Sequence, residues 1–115
     1  MKSKYLSNEE LLLAPQIRPS DGKNVKYSEV IGGNGRIVIL QYSGICVGHT
    51  VFWRVRGDGT ELSSFVVEKL EPEYEVVLRF DRVFDKESVV ASYTVRDTND
   101  KVFGYSEERR YKVLR

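Results

Sequence analysis

The most regular hydrophobic pattern in the chain has a period of two. Over residues 50–56, Val51, Trp53 and Val55 fall on one face and Phe52, Arg54 and Arg56 on the other, the spacing of a half-buried strand. Residues 74–80 repeat it, with Tyr74, Val76, Leu78 and Phe80 opposed by Glu75, Val77 and Arg79. So do residues 88–95, with Val89, Ala91, Tyr93 and Val95 inward and Ser88, Val90, Ser92 and Thr94 outward. A further strand is expected over residues 36–42, a weaker one over 62–70, and one or two over 101–114 with Tyr111 and Val113 inward. Turn residues punctuate these runs at Asp21-Gly22, Gly32-Gly33-Asn34-Gly35, Gly57-Asp58-Gly59, the loop 85–87 and the turn 97–100. The one helical pattern lies at the start. There Ser7 and Glu10 fit a capping box ahead of Leu11, Leu12 and Leu13, and Pro15 ends the run. The pattern therefore predicts an all-β, immunoglobulin-like two-sheet sandwich of about seven antiparallel strands over residues 13–115. A short N-terminal arm or helical turn over 1–12 precedes it. No long helices separate the strands, which excludes a parallel α/β fold.

Composition narrows the function more than the fold. The chain has 115 residues, enough for one domain with a real core. Its 18 basic and 17 acidic residues leave a formal charge of +1. That is not the basic excess of a nucleic-acid binder or of a membrane-surface protein, so neither partner is expected. No apolar run is long enough to insert in a bilayer. Met1 to Leu13 carries two lysines, then polar residues and two glutamates, so a secretory signal is not expected there. The single cysteine, Cys46, cannot form an intrachain disulfide, and between Ile45 and Val47 it reads as a small apolar side chain.

Residues 42–51, YSGICVGHTV, resemble the Y-x-G-M-x-x-G-D-T-V stretch of bacterial immunoglobulin-like repeat domains, found in large surface and secreted proteins, including adhesins, of pseudomonads and related bacteria. Ala14-Pro15 resembles the start of that family's first strand, residues 89–95 (VVASYTV) its penultimate strand, and residues 106–113 its closing strand. The resemblance covers about residues 13–114, with His49 in place of the usual aspartate and Trp53 two positions early. It implies a sandwich without catalysis, acting as a spacer or adhesive module at the cell surface or outside the cell, within a longer chain. Trp53, mid-strand among inward positions, suits the core tryptophan of such a sandwich, and Tyr93 lies where a tyrosine corner could form.

Several residues invite a chemical reading, and each has a cheaper one. Arg56, Gly57 and Asp58 spell the tripeptide that integrins recognise on a presented loop, but Gly57-Asp58-Gly59 is also what a tight turn demands. His49, the only histidine, has Cys46 three residues away, too few ligands for zinc, and is expected as a surface residue opening a strand. Asp97, Asn99 and Asp100 begin like a calcium loop, but Val102 takes the place of the required glycine, so a hairpin turn is expected. Asp81, Asp85 and Glu87 could pair as glycosidase carboxylates only across a cleft, and a short loop more often carries them for solubility. No catalytic residue, cofactor or metal ligand set is therefore expected, and the chain reads as non-enzymatic. The aromatics Phe52, Phe65, Phe103 and Tyr105, with Tyr5, Tyr27 and Phe84, are not clearly inward. Exposed on a sandwich they would suit a protein partner or stacking on sugar rings. The expected roles are a binding or spacer module, a carbohydrate-binding sandwich, or an assembly domain of a phage-tail or toxin-associated complex.

Overall fold

The structure, a computed structural model, describes residues 11–115, so the capping box at Ser7 and Glu10 lies outside the described residues. Nine strands form two sheets. They are β1 (Gln16–Arg18), β2 (Asn24–Lys26), β3 (Gly35–Leu40), β4 (Thr50–Arg56), β5 (Thr60–Val66), β6 (Glu73–Leu78), β7 (Ser88–Arg96), β8 (Val102–Tyr105) and β9 (Arg109–Leu114). One helical turn, Tyr27–Val30, and one 3-10 turn, Asp81–Phe84, lie between them. The small sheet has the order β1-β3-β6, the large one β2-β9-β7-β4-β5, and β8 pairs with the far end of β7. The order is that of an immunoglobulin-type sandwich: strands A, B and E face strands A′, G, F, C and C′, with no strand between β5 and β6.

The strand count exceeds the expected seven for two reasons. The first strand is split: β1 pairs antiparallel with β3, and the chain then crosses to the other sheet, where β2 runs parallel to β9. The last strand is also broken, because Ser106 interrupts it. Ser106 Oγ accepts the Tyr93 N–H at 2.8 Å and donates to the Glu107 carbonyl at 2.9 Å. Ahead of β1, Leu12 is buried and bridges to Ser106, accepting from the Glu107 N–H at 2.9 Å. The packed body therefore includes Leu12, one residue ahead of the expected boundary.

The core lies between the sheets. The small sheet supplies Ile17, Ile37, Ile39 and Leu78, and the large one Val51, Trp53, Val55, Val89, Ala91, Tyr93, Val95, Tyr111 and Val113, all in one buried cluster. Tyr74 and Val76 pack against it while partly exposed. Phe80, expected inward, is 40% exposed. The strand stops at Leu78 because the Glu61 carboxylate accepts the N–H groups of Arg79 and Phe80 at 2.9 Å each, turning the chain into the 3-10 turn and ending the alternation. Phe84, by contrast, is buried.

Trp53 fills the core opposite Tyr93, its register partner. No tyrosine corner forms at Tyr93, whose hydroxyl has no hydrogen-bond partner among the described residues. The comparable tie is made by Tyr111 on the last strand. Its hydroxyl accepts the buried Ile17 N–H at 2.9 Å, so β9 of one sheet holds β1 of the other. The inter-sheet disulfide of antibody domains, absent here, would contribute about 2–4 kcal/mol. One or two further buried side chains, at about 1.5–3 kcal/mol each, match that.

Candidate functional site

The large sheet buries one face against the core and turns the other to solvent. On that outer face the register aligns side chains in rows. Val66, Thr50, Arg96 and Val102 form one row; Ser64, Phe52, Thr94 and Tyr105 the next. Leu62, Arg54 and Ser92 follow, then Thr60, Arg56, Val90 and Arg110. Five large apolar side chains on this face are exposed: Leu62 at 68%, Tyr105 at 56%, and Val66, Val102 and Phe52. They occupy three neighbouring rows around Thr50, Arg54 and Thr94. Scattered exposed apolar residues are ordinary on a protein surface, but here five cluster on one face.

The same face is basic although the chain carries only +1 overall. Arg54, Arg56, Arg96, Arg110 and Lys112 project from it. Two of the five arginines and lysines have acidic neighbours, Arg56 with Glu108 at 3.9 Å and Arg96 with Asp100 at 3.7 Å. The result is an apolar patch bordered by guanidinium groups, suited to apolar contact flanked by bidentate hydrogen bonds to carboxylates.

Of the seven aromatics singled out in the sequence, Tyr5 lies outside the described residues, and the fold brings two of the others together on the outer face. Phe52 and Tyr105 flank Thr94 on the outer face. Phe65 is turned to the inner side, half-buried, with its ring 5.4 Å from that of Tyr74. Phe103 sits beside the β7–β8 bulge at one end of the sandwich and packs on His49, ring centroids 4.5 Å apart. Its exposed edge therefore faces away from the patch centred on Phe52. Leu62 and Val66, the aliphatic half of the patch, were not read as surface contacts. The available signal was their phase: in register with β4 they align with Arg54 and Thr50, both outward.

The Arg56-Gly57-Asp58 turn keeps Arg56 and Asp58 exposed, but both side chains are engaged in ion pairs. Asp58 pairs with Arg82 at 2.8 Å and Lys86 at 3.5 Å, and Arg82 holds its carboxyl below the usual carboxylate range. Neither glycine of the turn has a positive φ. They are required by close approach instead: a Cβ on Gly57 would lie 1.8 Å from the Val83 carbonyl oxygen, and one on Gly59 2.5 Å from the Phe80 ring.

His49 is buried, not on the surface. The loop after β3 folds Tyr42 back so that its hydroxyl meets His49 Nδ1 at 2.9 Å with the rings parallel, and Phe103 packs against both rings, its centroid 4.5 Å from that of His49 and 6.1 Å from that of Tyr42. Burial pushes the Tyr42 hydroxyl well above the usual tyrosine range, and it does the same for Tyr93. Cys46, read in the sequence as a small apolar side chain, is exposed, its sulfur 3.5 Å from the Gly44 carbonyl. The loop carboxylates have local work. Asp97 Oδ1 accepts the N–H groups of Asn99 and Lys101 and so shapes the β7–β8 hairpin. Asp81 accepts the Gly32 N–H at 3.0 Å, and Asp85 lies 3.6 Å from Arg82. Among the described residues no three His, Cys, Asp or Glu side chains converge on a metal position, and no helix is long and apolar enough to cross a membrane.

Comparison of the chain with protein-family models, with curated protein sequences and with solved structures returns no match.

Proposed function

We propose that this domain is a non-catalytic, immunoglobulin-like binding module that holds a protein partner on the outer face of its large sheet. The observation that carries the reading is the patch of Phe52, Leu62, Val66, Val102 and Tyr105 bordered by Arg54, Arg96 and Arg110 on that face. Apolar and aromatic side chains with arginine at the margin are the composition of a protein interface core and rim. A sugar platform would need its aromatics clear of aliphatic neighbours, and only Phe52 and Tyr105 share the face. The Asp58 carboxylate, already held by Arg82 and Lys86, weighs against integrin-type presentation of the 56–58 turn.

The resemblance of residues 42–51 to bacterial immunoglobulin-like repeats suggests a second, compatible role as a spacer in a surface protein. One geometric feature favours it. Leu12 lies beside Ser106, ahead of β9, and Arg115 lies beyond its end against Phe84 and Tyr27. The described chain thus enters and leaves at opposite ends of β9, a six-residue strand spanning about 20 Å.

The test is site-specific photocrosslinking in the source cells, with a photoreactive phenylalanine at position 52 or 105. The control position is Val77, in the small sheet. Protein adducts from 52 and 105 but not from 77 are expected. Equal adducts from all three sites, or none from 52 and 105, would overturn the reading, and adducts to glycan alone would favour the sugar platform.

A further inference from the structure

The large sheet ends on a strand that nothing among the described residues covers. β5 is seven residues long and pairs with β4 on one side through a continuous register without a bulge. At the two ends of that ladder the Val67 N–H donates to His49 O and the Gly57 N–H to Gly59 O. Bonded and non-bonded positions alternate along an antiparallel pair. The odd-numbered residues of β5 therefore bond to β4, and Thr60, Leu62, Ser64 and Val66 turn their N–H and C=O groups to the free side. None of these backbone groups makes a hydrogen bond outside the β4 ladder among the described residues.

Natural sheets protect such an edge with charge, proline, bulges or brevity. The outer strands β1, β2 and β6 are protected in this way. β1 and β2 have three residues each and carry Arg18 and Lys26. β6 carries Glu73 and Glu75, with Arg18 beside them at 2.9 and 3.9 Å. β5, TELSSFV, has no lysine, no proline and no bulge. Its one charge, Glu61, is turned inward and held by the Arg79 and Phe80 N–H groups. Leu62, near its centre, is the most exposed large apolar side chain among the described residues.

We infer that β5 is a pairing edge for a second copy of this chain, joined β5 to β5 in antiparallel register about Ser63. That register places Leu62 opposite Ser64 of the other copy and Thr60 opposite Val66, so large meets small on the outer face. All four outward-turned residues become bonded positions at once, using both backbone groups of each. Ser63 meets its own counterpart on the axis, and Glu61 meets Phe65, so no like charges oppose. The two large sheets then run on as one, with their apolar outer faces on the same side. An unrelated strand could also use the free backbone, but this register satisfies backbone and side chains together without any further residue.

The geometry gives a register-specific test. Residues facing each other at a non-bonded antiparallel position have Cα atoms about 4.5 Å apart, within the range a disulfide spans. In a background with Cys46→Ser, Ser63→Cys is expected to form a covalent dimer under mild oxidation. Val66→Cys, equally exposed but opposite Thr60, is expected to stay largely uncrosslinked. Light scattering of the unmodified chain across a concentration series is expected to show a monomer–dimer equilibrium. Leu62→Lys and Ser64→Pro, which alter only the free side, are each expected to abolish it with Trp53 fluorescence unchanged. If one of the two fails to fold, the other decides. A monomer at every concentration, equal crosslinking at 63 and 66, or dimers that survive both edge variants would each overturn the inference. The inference does not rest on the proposed partner face: Phe52→Asp, one strand in, is expected to abolish the partner crosslinks and leave the dimer intact.

Discussion

A buried hydroxyl stabilises a fold only when it has a partner, and two tyrosines in this core separate the cases. Tyr42 bonds His49 Nδ1 at 2.9 Å in a site covered by Phe103. Removing its hydroxyl strands a ring nitrogen away from water, which costs about 1–3 kcal/mol. Tyr93 is as deeply buried, but its hydroxyl has no partner among the described residues. Tyr42→Phe is therefore expected to lower the unfolding free energy from a urea titration by that amount, and Tyr93→Phe to leave it unchanged or raise it. Equal losses in both variants would refute the distinction. The sequence around His49, Val-Gly-His-Thr, offers no apolar run, and so it reads as surface. Its burial comes from Tyr42 and Phe103, which are brought to it by a loop and by the last hairpin. Such long-range closure leaves no local period. Gly57 carries the same lesson. Turn chemistry explains a glycine there by its freedom in φ, whereas the fold needs it because the Val83 carbonyl leaves no room for a Cβ. Gly57→Ala is expected to cost about 1–3 kcal/mol as overpacking, measured by thermal melting. No loss would mean that the turn can lift off the 3-10 turn.

At the scale of elements, the strands legible in the sequence are those that bury one clean face. β4 matches its expected span, and β7 extends by only a residue at its far end, because alternating valines and aromatics leave one choice of inward face. β1, β2 and β8 are three or four residues long and carry no period of their own. They exist as strands because a neighbour pairs with them. The outer patch was legible only at Phe52 and Tyr105. Leu62 and Val66 sit on an edge strand whose inner positions include Glu61 and Ser63, so apolar phase there points outward, against the usual rule. The clasp between β9 and β1 tests how far a short strand depends on its partner. Tyr111→Phe leaves the buried Ile17 N–H without an acceptor, a loss of about 1–3 kcal/mol. Faster amide exchange is expected at Ile17 and along β1 than along β4. The link from β1 to β2 responds to acid. Asp21 accepts N–H groups from Lys23 and Asn24, and hydrogen bonds from the Asn24 side chain and these amides hold its pKa at about 2, below its ordinary 3.8. A depressed carboxylate stabilises the fold above its unfolded pKa, and that contribution fades as pH falls through the folded one. The Lys23 and Asn24 amide resonances are thus expected to titrate with a midpoint at the folded value, about pH 2. A shift centred above pH 4 would rule out the bonded carboxylate.

For the whole molecule the question is whether two sheets without a disulfide behave as one unit. Their inner faces form a single buried cluster, with Ile17, Ile37, Ile39 and Leu78 packed against Val51, Trp53, Val55 and Tyr111. The chain also crosses between sheets within its first strand pair, and Tyr111 ties the last strand to the first. Neither sheet can open without exposing the apolar face of the other, so separate unfolding would cost nearly as much as complete unfolding. Small domains with one core of this kind unfold in a single transition. Trp53, the only tryptophan, lies in the large sheet and reports on it, while far-UV circular dichroism reports on both. The two signals are expected to give one urea midpoint. Leu78→Ala, a truncation in the small sheet, is expected to lower that midpoint equally in both signals, through a loss of about 2–5 kcal/mol in unfolding free energy. A Trp53 transition that stays in place while the dichroism midpoint falls would show that the large sheet persists alone. Reducing agent is expected to change neither curve, because the one cysteine, Cys46, lies exposed outside the core. Labelling that thiol in the native protein is likewise expected to leave the Trp53 midpoint where it was.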